Sequence, residues 1–261
     1  MLRAQDYGES DRIVTLLTRD AGKLSGIAKG AKRSQRRFAG ALGLFSNVQL
    51  EYRHRLGADL AFLERATLLR PWRSMVASLE RYAAASHVVE LADKMTVEQE
   101  IGDELYAVVL AALARLDAAE PGPATLRLFE LAVLSACGYR AELIACVSCR
   151  RTLREESGPV RVAPTAGGVV CSRCVPIDAT AATLSPRSLA CLAAMQETLG
   201  GRGSRSPGDR AWIFSADAEI GSRMGVVETR EVAVAVAALI SPHLRGRLRA
   251  IELLGPILLP R

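Results

Sequence analysis

The spacing of apolar residues changes once along the chain, at Pro71. Ahead of it, apolar and polar positions alternate in short runs. Arg12-Ile13-Val14-Thr15-Leu16-Leu17-Thr18 is rich in β-branched residues, Asp20-Ala21-Gly22 is a turn signal, and Lys23-Leu24-Ser25-Gly26-Ile27-Ala28 alternates polar with apolar or small residues. Together they predict a hairpin. Residues 44–52 and 60–69 give two more strands, with Gly8, Gly26, Gly40, Gly43 and Gly57 supplying bends. About five short strands without a crossover helix predict a small closed barrel.

Beyond Pro71 the period lengthens. Trp72, Met75, Val76, Leu79, Tyr82, Ala83, Ser86 and Val89 fall at steps of three and four, which predicts a long helix from residue 72. Residues 101–119 give a second helix, ending at Pro121-Gly122-Pro123, and 124–137 a third, stopped by Gly138 where a left-handed cap is favoured. Residues 145–176 read as turns and a short hairpin. Ser185-Pro186, an N-cap followed by proline at the first helical position, opens a helix to about residue 199. Residues 200–209 form a polar loop rich in Gly, Arg and Ser, expected to be mobile. A last long helix covers about 229–253, with Pro242 inside its course. The expected class is α+β: a barrel domain over 1–70 and a helical domain over 71–261, with a cysteine module inserted at about 145–176.

The 261 residues, 49% hydrophobic and 5% aromatic, suffice for one large or two ordinary cores. Charge at Arg3 and Asp6 breaks the apolar segment a signal peptide needs, and the longest apolar run, 105–114, is too short to span a bilayer. A soluble, cytoplasmic protein with no membrane partner is expected. Charge is unevenly spread. Up to Val76 there are 14 Lys/Arg against 7 Asp/Glu, while the remainder holds 20 against 21. Lys23, Lys29, Lys32, Arg33, Arg36 and Arg37 form a run with no acid, the footprint of a phosphate-backbone binder; a solvated basic loop is the other reading. Arg53, His54 and Arg55 extend the charge as secondary contacts. Phe38, Phe45 and Tyr52 either stack on unpaired bases or fill the barrel core, and in a chain so poor in aromatics the core reading is favoured.

Cys146-Val147-Ser148-Cys149 and Cys171-Ser172-Arg173-Cys174 are two CxxC steps separated by 21 residues. Two thiolates three positions apart on a turn reach one ion, and two such turns complete a tetrahedron about Zn²⁺. A redox CxxC explains only one of the pairs, and no βαβ pattern flanks either. Four cysteines close the coordination shell, so the site reads as structural zinc with no position for a catalytic water. Cys137 and Cys191 sit singly in apolar helical patterns as small core residues. A zinc-dependent hydrolase or deaminase needs H-x-E before P-C-x-x-C or an equivalent water-activating carboxylate; with only His54, His87 and His243 present the motif is missing, and no enzyme activity is expected. A zinc-containing, sequence-specific DNA-binding regulator stays open, because Arg150, Arg151, Arg154, Arg161 and Arg173 outnumber Glu155 and Glu156 around the module.

Four blocks carry a family resemblance. Tyr7-Gly8-Glu9-Ser10-Asp11-Arg12-Ile13-Val14-Thr15-Leu16-Leu17-Thr18 with Gly22-Lys23-Leu24 and Ala28-Lys29-Gly30-Ala31-Lys32-Arg33 resembles the N-terminal signature of the RecO recombination mediators. Arg127-Leu128-Phe129-Glu130-Leu131 leading to Gly138-Tyr139, the cysteine quartet, and the tail at 245–254 resemble later RecO blocks in the same order. The resemblance implies an N-terminal OB-fold and a helical C-terminal domain. It also implies binding of single- and double-stranded DNA, annealing of complementary strands, and loading of RecA, with RecR, onto DNA covered by single-stranded DNA-binding protein. No covalent chemistry is implied, the zinc module is architectural, and the protein is expected on the nucleoid. Family members carry several residues before the position of Leu2, so either the start codon is misassigned or the first strand is short. Arg127, beside Leu126, Leu128 and Phe129, suits the C-terminal tail of single-stranded DNA-binding protein: an apolar groove takes an aromatic ring and the cation pairs the terminal carboxylate, an ordinary solvated Arg being the alternative. Arg245, Arg247 and Arg249 recur at steps of two, which on one helix spreads them over roughly 200°; they form a second DNA surface or are solvated.

Overall fold

The structure is a computed structural model and describes residues 1–34, 36–54, 57–97, 102–153, 156–174, 182–200 and 210–250. Five strands come first: β1 (Arg3–Tyr7), β2 (Asp11–Leu17), β3 (Lys23–Ala28), β4 (Asn47–Arg53) and β5 (Ala61–Arg70). They lie in the order β1-β2-β3-β5-β4, antiparallel except for the β3–β5 contact, where Gly26 faces Ala61. That is the order of the OB-fold, a five-stranded and partly open Greek-key barrel. The expected closure is corrected here. Among the described residues no ladder joins β1 to β4, and a recess of about 400 Å³ lies against Leu2, Leu17, Phe45, Leu50 and Leu113.

The alternation in β2 and β3 explains what holds the sheet. Val14, Leu16, Leu24 and Ala28 point into one core with Leu63 and Ala66 of β5, and Phe38, Ala41 and Leu42 from the long β3–β4 connection fill its middle. Leu17, on the opposite face of β2, joins Leu2 and Phe45 in the much larger helical core. Trp72 Nε1 donates to Phe45 O at 3.0 Å, and Lys23 Nζ lies 2.7 Å from Asp93 Oδ1 and donates to Asp93 O at 2.8 Å.

Helices α1 (Leu79–Met95), α2 (Asp103–Ala118) and α3 (Thr125–Ala136) form the first part of the helical domain. The expected start of the first helix at residue 72 is corrected: residues 73–77 are turns, and Ser78 caps the helix by accepting the Arg81 N–H at 3.1 Å. Gly138 ends α3 at φ +82°, as its position foretold. Three short strands follow, β6 (Val160–Ala163), β7 (Gly168–Val170) and β8 (Thr183–Leu184), then α4 (Pro186–Gly200), whose Ser185 hydroxyl accepts the Ser188 N–H. Two more helices follow, α5 (Asp217–Ser222) and α6 (Val226–Ile240). The expected helix over 229–253 breaks at the proline: a 3₁₀ turn spans Ser241–His243, and residues 244–249 are non-helical, with the Arg245 N–H donated to Lys94 O at 3.1 Å. The Gly/Arg/Ser loop lies, after Gly200, outside the described residues. Among the described residues no helix is long and apolar enough to cross a membrane.

Gly26 tests the barrel. A Cβ there would sit 2.6 Å from Leu63 Cδ2 and 3.1 Å from Ala61 O, so β3 would be forced off β5. Gly26→Val is expected to destabilise the protein by about 1–3 kcal/mol, read as a lowered midpoint in chemical denaturation; an unchanged midpoint would show that the strands part without cost.

Candidate nucleic-acid interface and metal centre

The basic segment leaves β3 at Ala28 and is pinned from below by acids. The Asp11 carboxylate accepts the Gly30 N–H at 2.8 Å and pairs with Lys29 Nζ at 3.5 Å. Lys32 donates to Gly8 O at 3.2 Å and reaches Asp6 Oδ2 at 3.0 Å, while its own N–H bonds Ser10 O. The Gly30 N–H holds the Asp11 carboxyl below its ordinary range, and the hydrogen bond from Lys32 does the same for Asp6. At its far end the loop is anchored by Arg37, whose guanidinium donates to Lys29 O at 2.6 Å and whose carbonyl accepts the Ala66 N–H. Arg33 and Arg36 are exposed, and among the described residues neither has an ion pair. The loop thus presents Lys29, Lys32, Arg33 and Arg36 outward, with Arg37 half-buried behind them.

Other residues expected on this surface are placed differently. Lys23 is largely buried and tethers the barrel to α1 through Asp93 and the Thr96 carbonyl, so it stands apart from the exposed cations. Arg53 is exposed at the end of β4 and paired with Glu64 of β5, and Arg55 lies outside the described residues. Phe38 and Phe45 are buried in the two cores, which leaves Tyr52 as the exposed ring of the three.

Arg127 is also inside. Only 8% exposed, it donates to Glu130 Oε1 at 2.8 Å, and the same oxygen lies 2.6 Å from Nε2 of the buried His87 on α1. Its guanidinium is thus engaged with Glu130 and largely withdrawn from solvent, not set out on an open surface. Sequence reading missed this cluster, although α3 is buried at every position from Thr125 to Leu134, and a helix apolar on all sides leaves an Arg and a Glu three apart no other partner. It likewise missed Asp6 and Asp11, whose only signal was their place at the base of a basic loop.

The cysteine module is assembled by backbone pairing. Glu142 and Val147 donate N–H groups to Gly167 O and Val169 O, so the β6–β7 hairpin lies along residues 142–147 and brings the second CxxC turn against the first. The approach needs Gly168, where a Cβ would lie 2.4 Å from Glu142 O. Sγ atoms of Cys146, Cys149, Cys171 and Cys174 all lie within 4.8 Å of one another, and Cys149 and Cys171 are 3.8 Å apart. A tetrahedron with metal–sulfur bonds of about 2.3 Å has edges of about 3.8 Å, so the quartet fits a thiolate-bound ion. Burial raises the Cys146 thiol, but N–H donors from Cys149, Cys171 and Ser148 outweigh it and bring the pKa down to about 6. At Cys174 a bond from Ser148 works downward, yet Cys171, burial and the other thiols prevail and push it up to about 11. Of the remaining two, Cys191 is buried and Cys137 half-buried, in keeping with core roles.

Comparison with known proteins agrees with this geometry. The family model for the recombination protein O N terminal matches residues 1–72, and that for the recombination protein O C terminal matches residues 76–211. The DNA repair protein RecO of Anaeromyxobacter dehalogenans (strain 2CP-C) is 38% identical over 261 residues, covering 99% of this chain and 96% of the relative. That of Anaeromyxobacter sp. (strain Fw109-5) is 40% identical over 263 residues, covering 99% and 95%. A more distant relative, from Myxococcus xanthus (strain DK1622), is 35% identical over 207 residues, covering 79% and 81%. An OB-type barrel joined to a helical domain with a four-thiol centre is thus, here, the architecture of a DNA repair and recombination protein. Within that class the chain belongs to the RecO family.

Two variants test these sites. Because a metal must displace protons from thiols such as Cys174, apparent metal affinity is expected to fall as pH falls, and Cys146→Ser with Cys171→Ser should release metal and destabilise the helical domain; metal analysis and chelator competition at two pH values read both. Arg127→Met strips the buried Glu130 of its cation and is expected to cost about 3–5 kcal/mol, measured by chemical denaturation.

Proposed function

We propose that this protein is a DNA-binding recombination mediator that anneals complementary strands and, with RecR, helps load RecA onto single-stranded DNA covered by single-stranded DNA-binding protein. The observation that carries the reading is the exposed loop of Lys29, Lys32, Arg33 and Arg36 on the barrel rim, backed by Arg37. The charges of Lys29, Lys32 and Arg37 are held in place by carbonyls and by Asp6 and Asp11, while Arg33 and Arg36 stand exposed beside them, which suits contact with phosphates that carry no sequence information. Tyr52 offers one face on which an unpaired base can stack. Neutralising two strands at once removes the repulsion that opposes their pairing, so an annealing role needs no covalent chemistry. The quartet of thiols is read as structural zinc, and the protein as cytoplasmic and nucleoid-associated. The acidic tail of single-stranded DNA-binding protein is its proposed peptide partner.

The quintuple change of Lys29, Lys32, Arg33, Arg36 and Arg37 to alanine should weaken binding of all DNA sequences alike and lower the log–log salt slope by about 0.7–0.9 for each phosphate no longer neutralised. Fluorescence anisotropy across a salt series measures it. An unchanged slope would remove the loop from the DNA surface. Preference for one sequence, abolished together with the zinc module, would favour the regulator reading instead.

A further inference from the structure

The segment after α6 runs back along α1, and Arg247, Arg249 and Ala250 line a recess together with Leu2 and Arg3. Its Arg245 N–H is held by Lys94 O, Gly246 turns it at φ +104°, and the Glu90 carboxylate accepts both the Arg249 N–H, at 2.9 Å, and the Ala250 N–H, at 2.7 Å. Leu248 and Ala250 are buried, whereas Arg245, Arg247 and Arg249 are exposed. Arg247 and Arg249 thus point outward on either side of the inward Leu248, and Arg245 stands exposed just before the turn at Gly246, in place of the helical scatter that a step of two would give.

The strap faces more positive charge. Arg3, at the start of β1, and Lys94 line the same recess as Arg247 and Arg249. The acids in that lining are Glu90 and Asp93, and both are engaged inward, Glu90 with the two strap amides and Asp93 with Lys23. The opposite end of β1 carries Asp6 and Tyr7 and abuts Gly8, where Lys32 of the basic loop is seated. Between these ends β1 pairs with β2 alone among the described residues, and all five of its residues are exposed. From Arg3 to Tyr7 the strand advances about 13 Å.

We propose that the strap of Arg245, Arg247 and Arg249, with Arg3 and Lys94, is a second phosphate-contact strip, and that one DNA backbone runs along β1 from the basic loop to this strip. The inference rests on the DNA-binding reading above and extends it to a surface shared by both domains. Point charges suffice for phosphates, so the contact requires cations in this place and not guanidinium geometry. The salt dependence of DNA binding by the full chain then contains two separable parts.

The test compares three variants by anisotropy of a labelled oligonucleotide across a salt series: R245A/R247A/R249A, R245K/R247K/R249K, and the quintuple loop variant. The alanine triple is expected to lower the salt slope by about 2–3, the lysine triple to keep the wild-type slope, and the loop variant to lower it independently. A wild-type slope in the alanine triple beside a lowered slope in the loop variant would overturn the strip and leave the loop reading intact. Equal reductions in the alanine and lysine triples would also overturn it, since packing rather than charge would be responsible. Wild-type slopes in both the alanine triple and the loop variant would overturn the DNA-binding reading itself.

Discussion

Strand β2 is buried on both faces, and the arrangement of the rest follows from that constraint. Val14 and Leu16 enter the barrel core and Leu17 enters the helical core, so consecutive residues of one strand hold two domains in register. A slip of one residue would exchange the faces and empty both cores together. The strand therefore acts as a fixed rod. At its N-terminal end Asp11 seats the basic loop through Gly30 and Lys29; just beyond its C-terminal end the hairpin partner Lys23 grips Asp93 of α1. The same helix, within one turn of Asp93, supplies Glu90 and Lys94 to the strap. Two cationic surfaces far apart in sequence are thus positioned from one hairpin.

The acids near these surfaces orient cations more than they cancel them. Asp6 and Asp11 are exposed or partly so, and ion pairs in water are worth little as stability. Their effect is to restrict long side chains to the rim, which under the proposed DNA-binding reading would lower the entropy lost when a phosphate is bound. Phosphates approaching Lys32 compete with a single carboxylate, whereas Arg33 and Arg36 are exposed without an ion pair among the described residues. The loop accordingly offers both a prearranged contact and ready ones.

Periodicity and punctuation showed in the sequence wherever local forces decide structure. The alternation of Lys23 to Ala28, the Ser185-Pro186 cap and the stop at Gly138 each fix an element through its own residues, and the paired CxxC steps announce their convergence because only turns of that spacing place two thiols together. What escaped depends on partners remote in the chain. Lys23 looked like one more cation of a run because Asp93 is 70 residues away. Arg127 looked like a groove margin because nothing local says that its partner Glu130 is also bonded by the buried His87, 43 residues earlier than Glu130. The three late arginines looked scattered because the helix period was carried through Pro242, after which the backbone bonds instead to Lys94 and Glu90.

The arginines around the cysteine module then acquire a simpler account than base reading. Four thiolates about a divalent ion would carry roughly two net negative charges, shared between the buried Cys146 and Cys171 and the more open Cys149 and Cys174. Arg150, turned out at φ +61°, Arg151 and Arg173 stand exposed within or next to the two CxxC turns, where such a charge would be felt most strongly. Cations so placed stabilise the centre itself. A reading head needs side chains projecting from a helix or strand that enters a groove, whereas Arg150 and Arg151 lie next to a cysteine turn to which their backbone is bonded, Arg150 N to Cys146 O and Arg151 O to Cys146 N, and Arg173 lies within the second such turn. The thiolates thus offer an account of the local excess charge at the module, and the proposal of nucleic-acid contact rests on the loop and the strap.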